Sequence, residues 1–238
     1  MTLNKFTKYK ILIPNFFTAL SLILGLISLQ FIFDGSFSNA AWLIGFSMIC
    51  DFLDGKLARM LNAQTKFGAL FDTLSDFVAF GVVPGFLSYK IGLNNFNILG
   101  AVVSLFYVFS GGYRLVRFTL ETTDSKIKHP FIGLPIPAAA GLISSFILFN
   151  IYLWGNIKSM ELLLVITFIS SVLMISKIEY LSIDKGKKFS RETKFFISLA
   201  VISLVAAFRY HYIVFALWIV IYIFYGIVRH IIISDKHK

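Results

Sequence analysis

Long apolar runs dominate the chain, and short polar clusters break them at intervals. A run of about 17–25 residues crosses a bilayer as a helix. Eight runs reach that length, at roughly 13–33, 40–61, 68–89, 97–117, 135–154, 160–176, 194–210 and 212–229. Only Arg209-Tyr210-His211-Tyr212 parts the last two, which fits a tight hairpin or one long bent helix. The pattern predicts an all-α, polytopic integral membrane helical bundle of about eight transmembrane helices. Lys5, Lys8 and Lys10 lead straight into a full-length span with no A-x-A-like site, so no cleavable signal peptide is expected. No internal repeat or low-complexity segment interrupts the pattern.

Composition agrees with this pattern. Of 238 residues, 58% are hydrophobic and 14% charged, where a soluble domain carries about 25% charged residues. Mean hydropathy is +0.82. These values exclude a soluble globular enzyme, a disordered chain and a disulfide scaffold. Cys50 is the single cysteine, so neither an internal disulfide nor a cysteine-based metal site is expected.

The net charge of +10 would suggest nucleic acid on a soluble chain. Here it sorts by loop. With the N-terminus inside, Lys90, Lys158 and Arg209 fall outside, and the other 19 of 22 basic residues fall inside. That asymmetry predicts both termini on the cytoplasmic side and argues against a nucleic-acid partner. The segment 177–194, with Asp184-Lys185-Gly186-Lys187-Lys188, reads as a solvated topology determinant or a contact for anionic lipid headgroups.

Among 12 acidic residues, only Asp51, Asp54, Asp72 and Asp76 fall inside spans. Carboxylates at membrane depth are costly and mark function by default. Asp51 and Asp54 are three apart and Asp72 and Asp76 four apart, so each pair shares a helix face. The connection at 62–67 is short, which predicts antiparallel neighbouring helices. At about 1.5 Å per residue, both pairs lie roughly 6–15 Å from that turn, close enough to form one pocket open to the cytoplasm. Four carboxylates together require protons or a cation. An all-oxygen ligand set favours Mg²⁺, Mn²⁺ or Ca²⁺ over zinc or copper. Two close ions would suit phosphoryl chemistry, while a proton or sodium relay in a transporter also clusters acids. Gly55 and Ala58 leave room for a ligand, and Arg59 one turn beyond Gly55 can reach a phosphate. A fixed Arg serves a metal-phosphate enzyme better than a cation-coupled transporter.

The run Asp51-Phe52-Leu53-Asp54-Gly55-Lys56-Leu57-Ala58-Arg59, followed by Gly68, Asp72 and Asp76, resembles the signature of the CDP-alcohol phosphatidyltransferase family throughout. Ile13-Pro14-Asn15-Phe16-Phe17-Thr18 is similar to the opening common in that family. FDTLSDFVAFGVVP (71–84), YRLVRF (113–118) and GLPIPAAAG (133–141) resemble its serine-using subfamily. The resemblance covers about residues 10–145.

It implies a division into a basic cytoplasmic N-terminal segment (1–12), the catalytic helices (13–154), additional transmembrane helices (155–230) and a cytoplasmic tail (231–238). It implies an enzyme of the prokaryotic cytoplasmic (inner) membrane that displaces CMP from CDP-diacylglycerol with an alcohol, its active site facing the cytoplasm. Cofactors would be divalent cations, Mg²⁺ or Mn²⁺, two in number. Asp51 and Asp72 would bridge them, Asp54 and Asp76 would complete one site each, and Asp76 would be the general base. Pro14, Asn15, Phe16, Phe17, Thr18, Gly55, Ala58, Arg59, Thr65 and Gly68 would bind the CDP-lipid. A homodimer among membrane lipids is also implied.

The expected acceptor is L-serine, whose carboxylate needs a cation. Arg114 and Arg117, three apart at the end of the fourth span, can recognise a carboxylate through two parallel hydrogen bonds, or can be plain positive-inside anchors. Lys126, Lys128 and His129 are further candidates. GLPIPAAAG reads as both a shaped pocket edge and a site of close helix packing. Glycerol 3-phosphate or inositol phosphate as acceptor, and archaeal ether lipid as donor, remain open.

Overall fold

The structure is a computed structural model that describes residues 5–124, 131–180 and 220–221. Among these, seven α-helices carry the fold: α1 (Lys5–Phe33), α2 (Phe37–Met60), α3 (Lys66–Asp76), α4 (Val83–Ile91), α5 (Asn97–Asp124), α6 (Ile136–Trp154) and α7 (Met160–Ile175). One two-residue antiparallel pairing, which hydropathy does not foreshadow, joins β1 (Phe131–Ile132) to β2 (Glu179–Tyr180). The span expected at 194–210, that at 212–229 apart from residues 220–221, Lys126, Lys128 and His129, and the charged run after Tyr180 lie outside the described residues.

Among the described residues, four helical runs are long and apolar enough to cross a membrane: Tyr9–Phe33, Lys66–Ile91, Leu93–Leu120 and Ile136–Trp154. This is fewer than the six spans expected over the same stretch. Two helices account for the difference. α2 has the length but carries Asp51, Asp54, Lys56 and Arg59 in its second half, and α7 has only 16 residues.

α1 is the organising element. α2 packs along it, and hydroxyls rather than large side chains hold the contact. Ser21 and Ser47 sit 2.7 Å apart by their hydroxyls, and each donates to the other's carbonyl. Ser28 donates to Ala40 O at 3.0 Å. Small hydroxyl residues suit helix contacts in lipid, because they allow close approach and satisfy polar groups across the interface. α3 also packs on α1. α2 and α3 therefore meet chiefly through their common partner and have little direct packing, which refines the expectation of simple neighbours.

The turn between α2 and α3 follows from its residues. Asn62 adopts φ +51°, a left-handed conformation that Asn tolerates. Ala63 N–H reaches Ala58 O at 2.9 Å, and Asn62 N–H reaches Arg59 O at 3.3 Å, satisfying two orphan carbonyls of the helix end. Thr65 then caps α3, its hydroxyl accepting Gly68 N–H at 3.0 Å. Five residues thus end one helix and start the next.

The run from α3 to α4 is not one continuous α-helix. Phe77–Val82 forms a π-helical segment directly after Asp76, in which Val83 N–H reaches back to Val78 O. π-Turns shift the phase of the faces on either side, and they recur at functional sites. Pro84 follows and has no N–H to offer Phe80 O four residues earlier. Tyr107 supplies a side-chain donor at this point: its fully buried hydroxyl donates to Phe80 O at 2.9 Å. The core gathers around this join, with Phe80, Val83, Leu87, Tyr107, Ile136, Ile143 and Ile147 all buried. Glycine allows the close approach. A Cβ on Gly25 would come within 3.0 Å of Ala79, and one on Gly111 within 2.6 Å of Ile136 Cδ1.

Tyr107→Phe removes the hydroxyl that donates to Phe80 O inside the core. The expected cost is about 1–3 kcal/mol, read as a lowered thermal unfolding midpoint in detergent. An unchanged midpoint would show that the hydroxyl does not support the π segment.

Candidate active site

The acidic side chains lie where α2 and α3 face each other across α1. One carboxylate oxygen from each of Asp51, Asp72 and Asp76 lies within 4.8 Å of the other two. Asp51 and Asp76 are close enough to share a hydrogen bond. Asp54 stands apart from this trio. It is 4% exposed, and its Oδ2 accepts the Thr18 hydroxyl at 2.7 Å. It remains close enough to Asp51 and Asp72 for electrostatic coupling.

α1 holds this arrangement together. Thr18, expected to line the CDP-lipid, is 3% exposed and turns its hydroxyl to Asp54, with a second contact to Pro14 O at 3.2 Å. Ser75, between the two acids of α3, donates to Thr18 O at 3.1 Å. Residue Thr18 therefore touches α2 through its side chain and α3 through its backbone. The spacing of the acids does not reveal Ser75, and its only signal is a hydroxyl within an apolar helix flanked by two carboxylates.

The structure brings together several other expected residues. The Arg59 guanidinium folds back over Gly55, where an added Cβ would meet Arg59 Nη1 at 3.5 Å. Arg59 itself is exposed and acts electrostatically on Asp51, Asp54 and Asp72. A Cβ on Gly68 would come 3.0 Å from Asn15 Oδ1 and 3.1 Å from Thr65 Oγ1, so α1 and α3 meet here with no room for a side chain. Pro14 is buried, Ala58 is half-buried, and Phe16 is exposed with its ring edge-on to Phe17 at 5.7 Å.

The two arginines of α5 differ in their surroundings. Arg114 is 6% exposed, acts electrostatically on Asp51 and Asp76, and lies 5.8 Å from the Phe118 ring. Arg117 instead donates to four backbone carbonyls, those of Ile132, Met174, Ile175 and Ser176.

Asp72 Oδ1 and Asp76 Oδ1 are buried and meet no hydrogen-bond donor among the described residues. A buried polar atom without a partner is costly. Orphan oxygens in an all-carboxylate set fit a hard divalent cation. The trio can therefore hold a metal.

A model of the CDP-alcohol phosphatidyltransferase family matches residues 11–178, which spans every described helix from α1 to α7 apart from the first residues of α1. The chain belongs to the CDP-alcohol phosphatidyltransferase family. With its four membrane-length apolar helices, it is a membrane protein. It is 38% identical over 228 residues to the CDP-diacylglycerol–serine O-phosphatidyltransferase of Helicobacter pylori (strain J99), covering 94% of this chain and 93% of that one. It is 35% identical to the protein of the same name from Methanocaldococcus jannaschii, covering 93% and 95%. It is 36% identical over 183 residues to the archaetidylserine synthase of Methanothermobacter thermautotrophicus, covering 76% and 74%. Family membership displaces the cation-transporter alternative. The four acids and Arg59 all lie inside the segment that the family model matches.

Thr18→Val removes the donor to Asp54 while keeping the shape of the side chain. Loss of an outer hydrogen bond of this kind weakens metal binding about 10- to 100-fold. Titration of the purified protein with Mn²⁺, followed by electron paramagnetic resonance, measures it. Unaltered Mn²⁺ affinity would separate Thr18 and Asp54 from the metal site.

Proposed function

We propose that this protein transfers the phosphatidyl group of CDP-diacylglycerol to the hydroxyl of L-serine, giving phosphatidylserine and CMP. The observation that carries this reading is the convergence of Asp51, Asp72 and Asp76, at the family's signature spacing, in a chain similar over 94% of its length to a relative named for that reaction. The archaetidylserine synthase relative supports serine as acceptor with either ester or ether lipid as donor.

In this reading, Asp51, Asp72, Asp76 and Asp54 would hold two divalent cations, Mg²⁺ or Mn²⁺. Held there, such ions would supply positive charge for the pyrophosphate and for CMP. Arg59, over Gly55, pairs with a phosphate of the CDP moiety. Asn15, Thr65 and Gly68 line the same side, and the bare Gly68 backbone permits close approach. The exposed ring of Phe16, with Phe17 and Pro14, faces the lipid portion. Arg114 provides the cation for the serine carboxylate.

Asp76 accepts the proton of the serine hydroxyl as its oxygen attacks the β-phosphorus. A P–O bond forms to serine, and the bond from that phosphorus to CMP breaks. No Ser, Cys or His of the acidic window stands as a nucleophile, so displacement is direct. The chain sits in the prokaryotic cytoplasmic (inner) membrane with about eight spans, both termini and the acidic pocket on the cytoplasmic side, and works as a homodimer. The 155–230 segment supplies the additional helices.

Purified enzyme given CDP-diacylglycerol, Mg²⁺ or Mn²⁺ and one acceptor at a time should release CMP with serine. Glycerol 3-phosphate and inositol phosphate should give only background, and CMP release with either of them but not with serine would overturn the acceptor. Asp76→Asn should lower turnover at least about 100-fold through loss of the base, with CDP-diacylglycerol still bound. Wild-type turnover in that variant would remove Asp76 from the proton transfer.

A further inference from the structure

The sequence puts Arg114 and Arg117 on one footing, and the structure separates them. The Arg117 guanidinium donates to Ile132 O at 2.5 Å, Ser176 O at 3.3 Å, and Met174 O and Ile175 O at 3.4 Å. Three of these carbonyls belong to the end of α7, where no helical N–H remains to pair with them. A cation is also favoured at that pole of a helix.

The segment before α6 is built around this guanidinium. Gly133 has φ +81°, and a Cβ there would collide with the Met174 carbonyl oxygen and come 2.5 Å from Arg117 Nη2. Its N–H donates to Ile178 O at 2.8 Å, and Leu134 N–H donates to Leu173 O at 3.0 Å. Leu134 is fully buried. Three elements, α5, the 132–134 segment and the end of α7, therefore close on one side chain. Arg114 stands three residues earlier on the same helix, about 4.5 Å along its axis, buried and coupled to Asp51 and Asp76.

We propose that Arg117 is a positioning residue for the acceptor: by clasping the ends of β1 and α7 it sets the roll of α5 that turns Arg114 towards the carboxylates. The inference rests on the reading that Arg114 receives the serine carboxylate. A bidentate contact tolerates little displacement, since an error of about 1 Å in a reacting pair can cost about 100-fold. Lys cannot replace Arg117, because a single ammonium on a flexible stem does not span four separated carbonyls as a planar guanidinium does.

A double-mutant cycle on the full-length enzyme tests this. Arg114→Ala should raise the KM for serine about 10- to 100-fold, the loss of a charged hydrogen-bonded pair. Arg117→Lys should raise it about tenfold, and neither variant should move the KM for CDP-diacylglycerol. The double variant should be no worse than Arg114→Ala alone, because Arg117 acts through Arg114. Gly133→Ala should reproduce the Arg117→Lys pattern from the opposite side of the clasp. Additive losses would make Arg117 an independent contact, and an unchanged serine KM in Arg117→Lys would make the clasp irrelevant to the acceptor; either overturns the inference alone. An unchanged serine KM in Arg114→Ala would overturn the acceptor reading and, with it, the inference. A rise in both KM values, or a fall in kcat with the serine KM unchanged, would mark Arg117 as merely structural and overturn the inference.

Discussion

Like charges do not gather at membrane depth unless something forces them together. Two ionised carboxylates 4.8 Å apart repel by about 3–4 kcal/mol at an effective dielectric of 20. Asp51, Asp72 and Asp76 bring three carboxyl groups within that range, and Asp51 and Asp76 are close enough to share a hydrogen bond. The rest of the fold answers that constraint. α2 and α3 each anchor on α1, so the gap between them is set by a third body rather than by their mutual repulsion. Thr18 draws Asp54 away from the trio, and Ser75 ties α3 to the same residue. Arg59 and Arg114 supply the nearest positive charge, one exposed and one buried.

The same economy of contact recurs in the core. A proline at position 84 removes a backbone donor, and the π segment and the Tyr107 hydroxyl restore order at that join. The disturbance falls directly after Asp76, so the phase of the acidic face is decoupled from the apolar helix that follows. Glycines at 25, 81, 85 and 111 let α1, α5 and α6 approach the π segment and α4 closely.

Arg114 and Arg117 both lie on α5, yet they serve different surroundings. One faces carboxylates and the other faces peptide carbonyls. Three residues of helix rotate a side chain by about 300°, and that rotation is enough to separate a pocket wall from a helix-end clasp. Relatives named for serine transfer, drawn from bacteria and archaea, match over most of the chain, so the shared features extend beyond the acidic motif.

The sequence by itself determined much of this protein. Apolar run lengths located the helices from α1 to α7, and a fixed spacing of acids, glycines and one arginine identified the family. These features are legible because they depend on local periodicity and on residue types rare at membrane depth. Others required the tertiary structure. Thr18 reads as a lipid-lining residue and Ser75 as an ordinary hydroxyl until the packing of α1 turns one towards Asp54 and the other towards α1. Arg117 reads as a twin of Arg114 until Ile132 and the end of α7, 15 and 57–59 residues away, arrive around it. The β1–β2 pairing is two residues long and leaves no periodic trace. Periodicity reports which face a residue occupies, but not what stands opposite. Only the three-dimensional placement of partners distant in the chain decides that.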